Sequence, residues 1–512
     1  MKYFIKSKKI AILGLIMLIS QACTEDFEKL NTDPSLLSSD QLDVGLLLTT
    51  IQKQMIIDNG AYPLGIFGNY AGYTTSGGNL PFNGGFFPNE FEEGYNSLLN
   101  VSEIIRLTDG DPDLINKQAI ARIMKVYIYQ HMTDLYGDIP YSQAVKAIED
   151  IETQPAYDTQ QRIYENMLDE LEDATNDLDE NRISYSSQDL IYGGDIGKWR
   201  RFGNSLRLRI ALRMSYADES LATSQISSLL GADLIEDNDG NAFVTTSTDY
   251  ESNQNPIYNE LIRVGGTLGQ FMGQSIIDLL KYNNDPRLTI IAEPTLNSSE
   301  EAEKNNDPGL LVYRGRPLGL DGSEEREHYQ MRDISSIGEY FQQPVIDMSA
   351  LYYSEVCFAL AEAKLRFDLG NKTADEWYQA GIRADMDRYG IGEAEITNFL
   401  NSPAGTLTGT DEEQLEQILS QKNIALFPNA TEAWSEWRRT GYPKILIGSM
   451  QGETNGQIPR RINYPYDEAN LNSSNYQEAS NRMGGDLLTT RIWWDSNPNV
   501  PYEHPGDIFD DF

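Results

Sequence analysis

Apolar residues recur at intervals of three and four along much of this chain, and this spacing constrains its fold more than any other feature. One such stripe consists of Ile120, Ile123, Met124, Tyr127, Ile128 and Leu135. It predicts a helix over about 112–136, with Pro112 suited to the first turn and Gly137 to the end. The same spacing predicts further helices near 42–58, 90–108, 159–180, 198–217, 349–369, 373–390 and 412–440. We therefore expect a mainly α protein of paired helices, similar to helix-turn-helix repeat arrays but without a clean 34-residue period.

Long stretches rich in glycine, asparagine, serine, proline and aromatic residues interrupt the helical pattern near 60–90, 236–268, 283–345 and 441–512. Loops of this length usually bind something or are ordered by what they bind. The first interleaves glycines with Tyr62, Phe67, Tyr70, Tyr73, Phe82, Phe86 and Phe87. These rings either pack against the helices or offer flat faces to a ligand, and the sequence leaves both interpretations open.

The charge of the chain excludes several classes of function. Its 512 residues include 78 acidic and 40 basic side chains, a formal charge of −38 that repels nucleic acid. The chain has only three histidines and two cysteines, which are too few for most zinc sites or for a disulfide framework. Asp109, Asp111 and Asp113 alternate like a calcium loop, but Leu114 and Ile120 occupy the positions where that loop needs glycine and glutamate. We predict no catalytic residues, no metal ligands and no cofactor, although a structural calcium ion elsewhere on the acidic surface stays open.

The N-terminus reads as a bacterial lipoprotein signal. Four lysines precede an apolar run over 10–19, which is too short to cross a membrane and ends in SQAC at 20–23. We predict a signal peptide over 1–22, a lipidated tether over 23–40 that begins with acylated Cys23, and a single α-helical binding domain over 41–512. An ordinary secretory signal is the alternative. The other cysteine, Cys357, lies in an apolar run and is expected in the core.

Six strings give the chain a more specific resemblance. They are YGDIPYSQA at 136–144, DPRL at 285–288, EVCFALAEA at 355–363, YQAGIR at 378–383, WSEWRRTGYP at 434–443 and PRRINYP at 459–465. In this order they resemble the SusD/RagB family of Bacteroidetes surface lipoproteins. We interpret the strings themselves as architecture: small residues for close helix packing, a helix end at Gly137, and arginines that stack on tryptophan or pair with carboxylates.

The resemblance implies a SusD-like fold: tetratricopeptide-like helix pairs with long irregular loops and short strands on one side. It implies a binding protein, not an enzyme, on the outer face of the outer membrane, and the acidic residues after Cys23 look like the export signal of such lipoproteins. The implied partner is a SusC-like TonB-dependent transporter, to which captured oligosaccharides, or alternatively peptides, are handed.

The resemblance also indicates where ligand contacts would lie. Its aromatic loop maps onto Tyr70, Tyr73, Asn79, Phe82 and Phe86, and the long segment before the Ala-Glu-Ala helix contains Tyr313, Arg314, Tyr329, Arg332, Tyr340 and Phe341. Trp493 and Trp494, in the polar tail, form a third candidate patch, in which at most one ring is exposed if the pair lies on a strand. Outside this family, a surface glycoside hydrolase or a structural helical-repeat adaptor are the alternatives.

Overall fold

A computed structural model describes residues 43–58, 65–75, 82–84, 90–145, 152–263, 271–450 and 452–500. The chain divides into two units, Met1–Leu46 and Leu47–Phe512. Within the described ranges, no helix is both long and apolar enough to cross a bilayer. The predicted signal peptide, the tether and its lipidation site Cys23 lie outside the described residues.

Helices dominate the first half of the described chain, and the longer ones pack in succession. They are α1 Val44–Gln52, α2 Ile66–Tyr70, α3 Glu90–Thr108, α4 Ile115–Tyr136, α5 Gln160–Asp177, α6 Ile196–Arg213 and α7 Glu219–Leu229. From α3 to α7 each helix packs on the one before it. The predicted helix over 112–136 is confirmed as α4, preceded by a 3-10 turn that begins at Pro112. Its end is set by Gly137, whose φ of +83° suits glycine.

The second half contains short helices followed by another packed group. The short ones are α8 Pro256–Tyr258, α9 Gln274–Tyr282, α10 Leu288–Ile291, α11 Leu296–Asn305 and α12 Gly322–His328. The packed group is α13 Tyr353–Phe367, α14 Ala374–Arg388, α15 Glu393–Leu400, α16 Asp411–Leu426 and α17 Ala430–Thr440, followed by α18 Glu468–Leu471 and α19 Ser473–Met483. Here α13 contacts both α14 and α16, and α16 contacts α17. The mainly α, helix-pair fold is therefore confirmed.

Two predicted helices differ from the observed ones. The stretch 412–440 is two helices, because Pro428 lies between them and cannot continue the backbone hydrogen bonding of α16. The stretch 349–369 begins as a strand and becomes helical only at Tyr353. In both cases apolar residues continue at helical spacing through a position where the backbone is not helical. The spacing alone therefore could not locate the boundary.

Short strands form three two-stranded antiparallel sheets in the described part of the chain. They pair β1 Thr74–Thr75 with β5 Phe271–Met272, β2 Ile139–Pro140 with β3 Tyr157–Asp158, and β4 Ala242–Thr245 with β6 Asp347–Leu351. The β4–β6 register shifts between Ala242 and Phe243, as at a β-bulge. The β1–β5 and β4–β6 sheets join segments that are distant in sequence.

A network of buried ion pairs lies where the helices meet. It contains the pairs Arg209–Glu355, Arg213–Asp134, Arg213–Glu432, Arg213–Glu436, Lys422–Glu436, Arg439–Glu436 and Arg439–Glu362. Trp434 is also fully buried, with the guanidinium carbon of Arg438 only 3.8 Å from its ring centre. The strings around 355–363 and 434–443 are therefore structural, as the sequence indicated.

Candidate ligand-binding site

The first predicted segment lies mostly inside the protein. Tyr70, Tyr73 and Phe82 are each 0% exposed. Tyr70 is 5.1 Å, ring centre to ring centre, from Trp434, and the Tyr73 hydroxyl donates a 2.6 Å hydrogen bond to the carbonyl of Asn423. The structure corrects these three assignments: the rings fill the core and offer no face to a ligand in this conformation. Asn79 and Phe86, predicted with them, lie outside the described residues.

Phe82 is buried because the backbone of another loop lies directly against its ring. At Gly319, where φ is +70°, an added Cβ would lie 2.3 Å from the Phe82 ring. Only glycine permits both that conformation and that approach. The aromatic and glycine pattern of this loop thus reflects packing between loops at this point.

The second predicted segment is divided between core and surface. Tyr329 is 4% exposed, with the Arg314 guanidinium 4.8 Å from its ring centre, and Phe341 is also buried. The structure therefore corrects Tyr329 to a core residue. Arg332 is at the surface but is already bound to Glu300 at 2.6 Å and to Asn297 at 2.9 Å.

Two rings of this segment are partly accessible. Tyr340 is 40% exposed and packs its edge against Phe341 and Tyr389. Tyr313 is half-buried, beside Arg314 in sequence. Four residues of this segment are accessible enough to remain candidates for ligand contact: Tyr313, Arg314, Arg332 and Tyr340.

The two adjacent tryptophans of the third patch have different environments. Trp494 is fully buried, donates a 2.8 Å hydrogen bond from Nε1 to Asp134 and packs against the Arg438 guanidinium. The structure corrects Trp494 to a core residue. Trp493 is only half-buried and has its ring centre 5.7 Å from that of Tyr164.

Trp493 lines a cavity of about 320 Å³, which we call the Trp493 cavity. Its lining comes from the end of α4, the start of α5, the end of α19 and the segment after it. The lining residues are Asp138, Thr159, Gln160, Gln161, Arg482, Met483, Arg491, Ile492 and Trp493. A volume near the lower end of the roughly 300–1,000 Å³ range of ligand pockets suits a small ligand or one unit of a larger one.

The carboxylate in this cavity is held on both sides. The backbone N–H of Gln160 donates to Asp138 at 2.8 Å, and Arg482 Nε donates to it at 2.7 Å. Burial raises the pKa of Asp138; the bonds from Gln160 and Arg482 oppose that effect without cancelling it. The cavity therefore presents a fixed acceptor beside a guanidinium donor.

An aromatic ring beside planar polar groups is what carbohydrate recognition needs, because sugar rings have an apolar C–H face and many hydroxyls. Trp493 supplies the ring, and Asp138, Arg482 and Thr159 supply polar atoms. The sequence analysis named Trp493 as a candidate but did not name the polar residues that line the cavity with it. Asp138 stood in the YGDIPY string, yet nothing in the sequence placed it beside Arg482, 344 residues further on.

Two smaller cavities lie beside His131 and enclose only about 40 and 30 Å³, which is room for water. His131 lies 3.3 Å from the buried carboxylate of Glu90. Across the described ranges, no three histidine, cysteine or acidic side chains are grouped so as to hold a metal ion.

The fold defines a class of helix-pair proteins, here with a cavity between helix ends and the C-terminal segment. Residues 38–465 match the SusD-like family described as starch-binding and associating with the outer membrane. Because the match covers most of the chain, the chain belongs to the SusD-like family. None of the curated proteins matches it.

Solved structures agree with this assignment. A chitin-binding protein is 31% identical, with a TM-score of 0.78 over 89% of this chain and 100% of its own. A chitin-binding SusD homologue from Flavobacterium johnsoniae is 26% identical, with a TM-score of 0.72 over 88% of this chain and 98% of its own. A SusD homologue from Bacteroides uniformis is 25% identical, with a TM-score of 0.73 over 88% of this chain and 99% of its own.

Proposed function

We propose that this protein captures oligosaccharides at the cell surface and hands them to a SusC-like TonB-dependent transporter. The observation that carries the proposal is the match of residues 38–465 to a family described as starch-binding and associating with the outer membrane. Two similar solved structures are of chitin-binding proteins, which favours a glycan ligand over other nutrients. Binding is reversible and involves no covalent step.

The Trp493 cavity is the ligand site that we propose. Its half-buried indole, the acceptor Asp138 and the donor Arg482 supply the two kinds of contact that a sugar needs. A glycoside hydrolase would instead need two carboxyl groups facing each other across the cleft. Among the described lining residues, Asp138 supplies the carboxylate and is engaged by Arg482 and Gln160.

Attachment to the membrane would come from the N-terminus. We propose that Cys23 is acylated and that the acyl chains hold the protein at the outer face of the outer membrane. Metabolic labelling with a palmitate analogue tests this, with Cys23→Ala as the variant that should lose the label. Label retained in Cys23→Ala would contradict the proposal.

Calorimetric titration of the full chain in detergent against plant, host and microbial oligosaccharides tests the ligand class. A mixed peptide digest is titrated in parallel, because peptide capture is the second function that the family resemblance suggests. We expect micromolar binding to one glycan class and no release of reducing sugar. Heat from peptides alone would favour peptide capture, and sugar release would favour a hydrolase.

The transporter hand-off needs a separate test, because ligand binding alone does not establish it. Affinity purification from cells of the source bacterium should bring down a large outer-membrane β-barrel protein together with this chain. Purification of the chain without such a protein, under conditions that preserve membrane complexes, would contradict the proposed partnership.

A further inference from the structure

The polar corner of the Trp493 cavity offers an acceptor and donors side by side. Arg482 donates from Nε to Asp138, from Nη2 to the carbonyl of Tyr157 at 3.1 Å and from Nη1 to Glu478 at 3.4 Å. A guanidinium has five N–H groups and a carboxylate about four lone-pair sites. Both groups therefore keep capacity for a ligand while they hold each other in place.

An apolar wall stands next to this corner. Met483 and Ile492 line the cavity. Both side chains also lie against Gly137: a Cβ added to Gly137 would be 2.7 Å from Met483 Sδ and 2.9 Å from Ile492 Cγ2. The positive φ of Gly137 also favours glycine. The wall is thus packed tightly against the end of α4 and cannot recede from a ligand easily.

The charges that line the cavity are already balanced. Arg482 is paired with Asp138, and Arg491 lies 3.4 Å from the buried Asp495. A ligand with a carboxylate would also be repelled by the negative charge of the protein, which is formally −38. The cavity is therefore suited to a neutral ligand, not to an acidic sugar.

We propose that the Trp493 cavity recognises the acetamido group of an N-acetylated amino sugar. An acetamido group carries an N–H donor for Asp138, a carbonyl acceptor for Arg482 and a methyl group for the wall of Met483 and Ile492. The sugar ring that bears it stacks on Trp493. At about 320 Å³ the cavity has room for one such unit.

This inference rests on the proposed glycan-binding function and narrows it to a chemical class. The test compares two neutral β-1,4-linked trimers, one of N-acetylglucosamine and one of glucose, whose units differ only in the acetamido or hydroxyl group at carbon 2. An acetylated glycine tripeptide amide serves as a third probe, because it has amides but no sugar ring. Each is titrated calorimetrically into the full chain.

We expect the acetamido trimer to bind at least about tenfold more tightly than the glucose trimer, because an acetamido group can bond to Asp138 and Arg482 together and place its methyl group on the apolar wall, whereas a hydroxyl is too short to make all three contacts. Arg482→Gln should weaken binding of the acetamido trimer more than binding of the glucose trimer, and should thereby reduce that preference to less than about threefold. Tyr250→Ala, which removes a ring that is 71% exposed and outside the cavity, is the matched control and should change neither affinity.

A second readout does not depend on any variant folding correctly. Saturation-transfer NMR on the wild-type protein should show the strongest transfer to the acetamido methyl protons, because Met483 and Ile492 surround them. Equal transfer to all sugar protons would overturn the proposal.

The remaining outcomes separate this inference from the proposed function. Equal affinity for the two trimers, or a preference that survives in Arg482→Gln, overturns acetamido recognition and leaves glycan capture standing. Tighter binding of the tripeptide overturns it in favour of a peptide amide. Binding to no glycan of the wider panel contradicts the proposed function itself.

Discussion

The guanidinium of Arg439 donates two hydrogen bonds, of 2.6 and 2.7 Å, to the two carboxylate oxygens of Glu362, and both side chains are fully buried. The pair joins α17 to α13, 77 residues apart in sequence. A bidentate pair fixes the relative orientation of two planar groups as well as their distance. Two helices that carry strings of the family resemblance, 355–363 and 434–443, are therefore joined by a buried polar contact.

Removing one partner of this pair should destabilise the protein strongly. Glu362→Gln leaves the buried Arg439 with a weaker acceptor, and breaking a buried pair in this way costs about 3–5 kcal/mol. Urea unfolding followed by circular dichroism measures the loss in the free energy of unfolding. The matched control is Glu103→Gln at an exposed pair with Arg106, which should cost less than about 1 kcal/mol. Equal, small effects in the two variants would contradict the account.

The same pair should make the effect of that substitution depend on pH. Burial raises the pKa of Glu362, but the facing Arg439 and, less strongly, Arg366 more than offset this, so that the pKa lies below its ordinary value of 4.5. A carboxyl with a lowered folded-state pKa stabilises the fold above pH 4.5 and loses that contribution as the pH falls through its folded pKa. The difference in unfolding free energy between wild type and Glu362→Gln should therefore be largest near pH 6 and shrink below pH 4.5. A difference that stays constant from pH 6 to pH 3 would refute this electrostatic explanation.

Close packing of α13 on α14 should make Gly381 intolerant of a side chain. An added Cβ would lie 2.8–3.0 Å from three ring carbons of the buried Phe358. Overpacking costs about 1–3 kcal/mol, which exceeds the gain in helix propensity of about 1 kcal/mol from glycine to alanine. We expect Gly381→Ala to lower the melting temperature, whereas Gly231→Ala, with no atom within 4 Å of the new Cβ, should leave it unchanged or raise it. A raised melting temperature in Gly381→Ala would show that the helices can separate without cost.

Substitutions at the two adjacent tryptophans should have different effects, one on stability and the other on glycan affinity. Trp494→Phe removes the hydrogen bond to the buried Asp134 and should cost about 1–3 kcal/mol of stability, with glycan affinity unchanged in the folded protein. Trp493→Ala should weaken glycan binding at least about tenfold and change stability little, since its ring is only half-buried. Calorimetric titration and thermal unfolding of both variants measure the two effects. The opposite pattern would place the ligand elsewhere.

Much of the scaffold could be predicted from the sequence because helical periodicity is a local property. The stripe from Ile120 to Leu135 and the glycine at 137 were sufficient to define α4. The break at Pro428 was less visible, because apolar residues continue on both sides of it. Element types were therefore more predictable than their boundaries.

The candidate site was less predictable because burial depends on contacts between distant segments. Tyr70 and Trp493 both occur in stretches of sequence rich in polar residues and glycine, yet of these two rings only that of Trp493 is partly accessible. What buries Tyr70 is Trp434, more than 300 residues away. The partner of Asp138, Arg482, is equally remote in sequence, so the polar half of the cavity could be found only in the folded protein.

The most direct test of glycan capture at the Trp493 cavity is a crystal structure of the protein with its tightest-binding oligosaccharide. We predict difference density for a sugar ring stacked on Trp493, with its polar groups within hydrogen-bond distance of Asp138 and Arg482. Density for the sugar at another surface, such as that of Tyr340, with the Trp493 cavity empty, would contradict the account.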